Sequence, residues 1–222
     1  MKLSSESYVK EQLMTPELNV ISTGRQPLDT LVRRAEKIHP YIDAIHIREK
    51  TWTANEMVIA IEMLRSKGVP RKKIVVNDRV DVAHVMNIRG VQLAHHSIAV
   101  ERVRNAYNHL EIGCSVHDSR GAIAAEKNGA DRLIFGHVFD THSKPGLPPK
   151  GMECMKEIVS NVSIPVIAIG GITPDNAADV IAAGASGIAV LSGVMLADDE
   201  VKAVTNYRDA IQRKKGDYDG KI

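Results

Sequence analysis

His137 follows the apolar run Leu133-Ile134-Phe135-Gly136 and precedes a loop that closes on Lys144. An imidazole at the end of a buried run can take and give a proton near neutral pH, which suits acid/base proton transfer. The same position also suits a core histidine hydrogen-bonded to backbone. A second group of residues suits anion binding. Gly170-Gly171 leads into Ile172-Thr173-Pro174, and Ser192-Gly193 follows Leu191. Glycines let a ligand oxygen approach the backbone, and a following helix offers free N–H groups and the positive end of its dipole. Plain tight turns would use the same residues. Arg48 and Lys50, just after Ala44-Ile45-His46-Ile47, add cations. A cation abutting a buried run calls for an anion beside it.

These residues must be positioned by the elements between them. Continuous apolar runs lie at Leu18–Ser22, Ala44–Ile47, Ile74–Val76, Val91–Leu93, Ile112–Ser115, Arg132–Phe135, Pro165–Ile169 and Gly187–Leu191. Helical patterns separate them. Leu28, Leu31, Val32 and Ala35 share one face within Gln26–Ile38, and Met57, Ile61 and Leu64 share one within the helix that ends near Lys67. Thr53 with Glu56 reads as a capping box, Gly129 as a helix stop, and Thr173-Pro174 as a cap followed by a first-turn proline. The last helix is expected from Ser192-Gly193 onward to about Lys214.

Eight strand–helix units of about 28 residues, with apolar rather than alternating strands, predict parallel strands covered on both faces. Strict alternation leaves an open doubly wound sheet or a closed barrel. No Gly-x-Gly-x-x-Gly follows the first strand, so the α/β (β/α)8 TIM barrel is favoured. Its active site lies at the C-terminal strand ends, with phosphate bound after strands seven and eight. Those ends carry Arg48 and Lys50, Asn77 and Asp78, His95, His96 and Ser97, Ser115 and His117, then His137 and Lys144. Loops that are simply polar are the competing reading. His95-His96 is poor metal spacing, His117 sits at a helix start, and His39, His84 and His109 read as surface positions. Cys114 reads as buried filler.

Composition sets the outer bounds. The 222 residues are 44% hydrophobic and 25% charged, with a formal net charge of +2, as in ordinary globular proteins. The basic runs Arg71-Lys72-Lys73 and Arg213-Lys214-Lys215 read as solvated faces, so nucleic acid is not expected as a partner. Two cysteines, Cys114 and Cys154, give no metal or disulfide framework, and a reducing cytoplasm is expected. No run approaches the roughly 18 apolar residues of a membrane span, so no membrane partner is expected. The domain reading is a polar lead over residues 1–16, one catalytic barrel over 17–213, and a disordered tail over 214–222.

Five motifs together resemble the thiamin phosphate synthase superfamily of barrels, from Leu18 to about Arg213. They are His46-Ile47-Arg48-Glu49-Lys50, Val76-Asn77-Asp78-Arg79-Val80-Asp81, Gly90-Val91-Gln92-Leu93, Gly136-His137-Val138-Phe139-Asp140-Thr141, and Pro165-Val166-Ile167-Ala168-Ile169-Gly170-Gly171-Ile172. Within it the chain resembles the TenI branch, the thiazole tautomerases. Synthases usually have proline where His137 stands, and an aspartate for Mg2+ where Ser97 stands, leaving Asp78 as the one matched metal carboxylate.

This likeness implies an isomerase of thiamin (vitamin B1) biosynthesis. It would turn a carboxy-dihydrothiazole (ylidene) ethyl phosphate into the aromatic carboxythiazole phosphate, with no metal or other cofactor. The expected catalytic residue is His137. The expected ligands of the phosphorylated thiazole are Arg48, Lys50, Asn77, Thr141, Lys144, Gly170, Gly171, Leu191, Ser192 and Gly193. The likeness leaves two alternatives. One is a thiamin phosphate synthase that joins a pyrimidine diphosphate to thiazole phosphate with Mg2+, since Lys50, Asn77, Asp78 and Lys144 fit a pyrophosphate. The other is a non-catalytic regulatory homologue. A homo-oligomer is compatible with either.

Overall fold

The computed structural model describes residues 15–212. The expected tail over 214–222 and nearly all of the lead over 1–16 lie outside them. Eight parallel strands close into a barrel in sequence order. They are β1 (Glu17–Ile21), β2 (Ala44–Ile47), β3 (Ile74–Asn77), β4 (Gly90–Leu93), β5 (Glu111–Val116), β6 (Arg132–Gly136), β7 (Val166–Ile169) and β8 (Gly187–Val190). The helices are α1 (Leu28–Ile38), α2 (Ala54–Ser66), α3 (Val80–Val85), α4 (Val100–Ala106), α5 (Ser119–Lys127), α6 (Gly151–Asn161), α7 (Pro174–Ala182), α8 (Ser192–Met195) and α9 (Glu200–Gln212). The predicted (β/α)8 barrel is therefore the fold.

Local chemistry explains the helix starts. Thr53 and Glu56 form the predicted capping box, with Glu56 N–H donating to Thr53 Oγ1 (3.2 Å) and Thr53 N–H to Glu56 Oε2 (2.7 Å). Asp118 accepts from Gly121 N–H at 2.7 Å and starts α5. The expected single last helix is instead two. Asp199 accepts from Lys202 N–H (2.9 Å) and starts α9 afresh after the four-residue α8. Glu200 then pins α9 to α1 through Lys37 (2.8 Å) and Arg34 (3.3 Å). Those partners, Lys37 first, hold its carboxyl below the usual glutamate range.

Strand residues alternate between two cores. Leu18, Val20, Ile45, Ile47, Ile74, Val76, Val91, Leu93, Leu133 and Phe135 point outward and pack under the helices. Inside the barrel, Ile21, Ile134, Ile167 and Ala189 form a separate small cluster with Ile169 and Leu191 against it. Apart from Ile21 and Val75, the inward positions of β1 to β5 are different in kind. Asn19, His46 and Gln92 are buried there, with Asn77 and Ser115 half-buried above. Strands β6 to β8 are thus apolar on both faces, whereas β2 to β5 are apolar mainly on the helix side, which corrects the reading of all eight as apolar on both faces. Glu17 of β1 and Arg132 of β6 pair across the N-terminal mouth at 2.8 Å, although their strands are not neighbours.

Candidate active site

The C-terminal ends of the strands gather the expected residues, but unequally. His137 directly follows β6 and is buried. Its Nε2 lies 3.0 Å from the carbonyl of Leu147, and its Nδ1 has no partner. A carbonyl can only accept, so the neutral ring keeps its proton on Nε2 and presents a lone pair at Nδ1. The loop beyond is anchored at its base. Val138 N–H donates to Ile169 O (2.9 Å), Phe139 N–H to Gly170 O (3.0 Å), and Lys150 N–H to His137 O (2.9 Å). Above this base, Asp140, Thr141, Lys144 and Leu147 line an open cleft of about 520 Å³.

The glycine pair serves two purposes. A Cβ on Gly170 would lie 2.2 Å from His137 Cβ, and one on Gly171 would lie 2.4 Å from Asp140 O. Both residues also have positive φ, 99° and 68°. Glycine is therefore required by protein packing against the β6 loop, a reason the sequence reading did not contain. The N–H groups of Gly171 and Ile172 nevertheless donate to no acceptor among the described residues, and they precede α7. Asn176 Nδ2 donates to Gly171 O (3.1 Å) and Tyr207 Oη to Ile172 O (3.0 Å), which fixes this turn. Tyr207 Oη also occupies the place a Cβ on Gly193 would take, so one phenol braces both loops. Leu191 is half-buried and joins the interior apolar cluster, while Ser192 and Gly193 are exposed on α8.

The cations lie after β2 and along the loop between β6 and α6. Arg48 is half-buried, its N–H donating to Ser22 Oγ at 2.8 Å. Among the described residues, neither it nor Lys50, Lys144 or Lys150 forms a salt bridge. Partial burial, then the charges of Lys150 and Arg48, push the Lys144 ammonium below its ordinary pKa. Arg48, Lys144 and Lys150 therefore share one mouth, none of them in a salt bridge among the described residues. Asn77 and Asp78 follow at the end of β3, where Asp78 takes a left-handed conformation (φ 66°).

The fit of Mg2+ rests on that aspartate. Among the described residues no three histidine, cysteine or acidic side chains come together for a metal. Asp78 has His96 Nε2 at 3.9 Å, and Ser97 uses its Oγ to accept from Ala94 N–H at 2.8 Å. One carboxylate suits Mg2+ when phosphate oxygens and water supply the remaining ligands. The donor set fits an ion that arrives with a diphosphate.

Other positions divide between fringe and interior. His117 is exposed just before α5, with Nδ1 2.7 Å from Gly136 O, so it buttresses the end of β6. His84 and His109 are exposed as expected, whereas His39 is half-buried. Burial raises the Cys114 thiol, which fits an inert filler. His46 and Gln92 were quoted in motifs but given no role. The signal was available, because each is a polar residue on the inward period of an otherwise apolar strand.

Comparison with known proteins bears on what this site does. The family model described as thiamine monophosphate synthase matches residues 18–194. A thiamine-phosphate synthase of Moorella thermoacetica is 36% identical over 199 residues, covering 87% of this chain and 92% of that one. One of Pyrococcus abyssi is 40% identical over 174 residues, covering 78% and 84%. The thiamine phosphate pyrophosphorylase structure from Pyrococcus furiosus aligns with a TM-score of 0.75 at 34% identity, covering 89% and 96%. These relatives overturn the expected isomerase. They carry the names of group-transferring synthases, so His137 and Ser97 were too few residues to decide the reaction. Among the described residues no helix is long and apolar enough to cross a membrane.

Proposed function

The chain belongs to the thiamine monophosphate synthase family, and from that premise we propose that it is a thiamin phosphate synthase. In this reading it joins a pyrimidine diphosphate to a thiazole phosphate. The carbon–oxygen bond to the diphosphate breaks, a carbon–nitrogen bond forms to the thiazole ring, and pyrophosphate leaves. The observation that carries the reading is the unpaired cation group of Arg48, Lys144 and Lys150 at one mouth.

In such a reaction the developing negative charge is on the leaving diphosphate. Preformed positive charge there lowers the barrier more than it tightens the ground state. Arg48, Lys50, Asn77 and Lys144 hold the diphosphate in this proposal. Asp78 would hold Mg2+, which when bound neutralises part of the phosphate charge. The free N–H groups of Gly171 and Ile172, with Ser192 and Gly193, take the phosphate of the thiazole. His137 holds the loop after β6 in place through Leu147 O, and the half-buried Thr141 closes the cleft. Leu191 gives the thiazole ring an apolar floor.

The test is pyrophosphate release by the purified protein in Mg2+ buffer. Release should require both substrates together and yield thiamin phosphate in equal amount. A protein that releases no pyrophosphate from the pair, or releases it equally without the thiazole, would not be this synthase.

A further inference from the structure

The barrel interior beneath Asn77 holds polar atoms that the mechanism above does not use. His46 and Gln92 are each 2% exposed, yet His46 Nδ1 and Gln92 Oε1 have no hydrogen-bond partner. Asn19 Oδ1, one strand away, is unpartnered too, as is Asn77 Oδ1 above. Native interiors rarely leave such atoms unsatisfied, and four in one place call for a common partner. The place is not solid. A cavity of about 180 Å³ opens at the N-terminal mouth beside the Glu17–Arg132 pair and reaches His46 and Gln92. It has room for several waters and polar walls to hold them. Gly113 keeps it open, since a Cβ there would lie 2.2 Å from Gln92 Oε1. Gln92 is itself fixed by donating Nε2–H to Ser115 Oγ at 3.1 Å.

The two uppermost members of this set belong together. Asn77 meets His46 directly as a hydrogen-bonding neighbour, although neither His46 Nδ1 nor Asn77 Oδ1 has a bond of ordinary geometry. A small shift of either side chain would complete that bond. We propose that this chamber is a hydrated pedestal under the active site, and that His46 is a positioning residue that fixes the Asn77 amide by direct contact. The role given to Asn77 rests on the synthase reading; the pedestal does not.

Three measurements test this. A high-resolution crystal structure should show ordered water in the chamber within hydrogen-bond reach of Gln92 Oε1, and a dry chamber would overturn the pedestal. The same structure of His46→Ala should show the Asn77 amide turned from its wild-type orientation; an unchanged amide would overturn the positioning role. Calorimetric binding of inorganic pyrophosphate in Mg2+ buffer gives the functional arm. His46→Ala should weaken it about tenfold, as should Asn77→Ala, and the double variant should be no weaker than either. His46→Gln, which keeps a polar group at the same site, should stay within about threefold of wild type. Additive losses, or wild-type affinity in His46→Ala, would overturn the coupling. A wild-type protein that binds no pyrophosphate would instead strike the synthase reading, and the two crystal structures would still decide the pedestal.

Discussion

On the side of β6, β7 and β8 the barrel interior is hydrocarbon, built from Ile134, Ile167, Ala189 and Ile169. On the side of β2 to β5 it is imidazole, amide and hydroxyl, from His46, Asn77, Gln92 and Ser115. Both halves obey the same strand period, and both end in a ligand-facing rim. The difference lies in what each rim needs beneath it. The glycine turns after β7 and β8 present backbone N–H groups, which need only a rigid, dry support. The cation and amide side chains after β2 and β3 must be aimed, and aiming uses directional hydrogen bonds. In the proposed synthase the apolar half would thus serve backbone recognition, and the polar half side-chain recognition.

The largest expected break of the apolar half is Gly170→Ala. The new methyl would meet His137 at a residue with φ of 99°, so a loss of about 2–4 kcal/mol is expected in urea unfolding. Gly146→Ala is the control. Its φ is also positive at 75°, but nothing lies within 4 Å of the added carbon, and a cost of about 1 kcal/mol is expected.

The polar half should show itself through pH. Burial, then the charge of Arg132, lowers the His46 pKa from 6.5 to about 3. The unfolded imidazole takes a proton below 6.5, while the folded one refuses it until about 3. Stability from this group is therefore complete above pH 6.5 and is lost as pH falls toward 3. Between pH 6.5 and about 4.5 wild type should lose roughly 2–3 kcal/mol more than His46→Gln, read from urea midpoints at the two pH values. Equal losses in both proteins would mean that His46 is not held neutral.

The smallest effect returns to the hydrocarbon side. Ile167→Val removes one methylene from a dry cluster, and about 0.5–1.5 kcal/mol is expected by the same unfolding measurement, with no dependence on pH.

The barrel was legible because apolar runs separated by helical patterns recur eight times. The rim was legible for the same reason: Arg48, Asn77, His137 and Gly170 all stand directly after runs. The division of the interior was less so. His46 and Gln92 sit within apolar runs, and one-dimensional reading counted them as strand. Their inward direction follows from the alternation with Ile45, Ile47, Val91 and Leu93. The packing role of Gly170 against His137 could not be read at all, because it depends on two chain segments 33 residues apart in sequence meeting at the rim. His137 and Ser97 point to the isomerase, whereas Lys50, Asn77, Asp78 and Lys144 already fit the pyrophosphate side of a synthase.

The most direct test of the division between the two halves is Arg48→Ala, assayed with each substrate varied in turn. The KM for the pyrimidine diphosphate should rise at least about tenfold, while the KM for thiazole phosphate stays within about twofold. Equal rises for both substrates, or a rise for the thiazole phosphate alone, would contradict a mouth divided into a diphosphate side and a phosphate side.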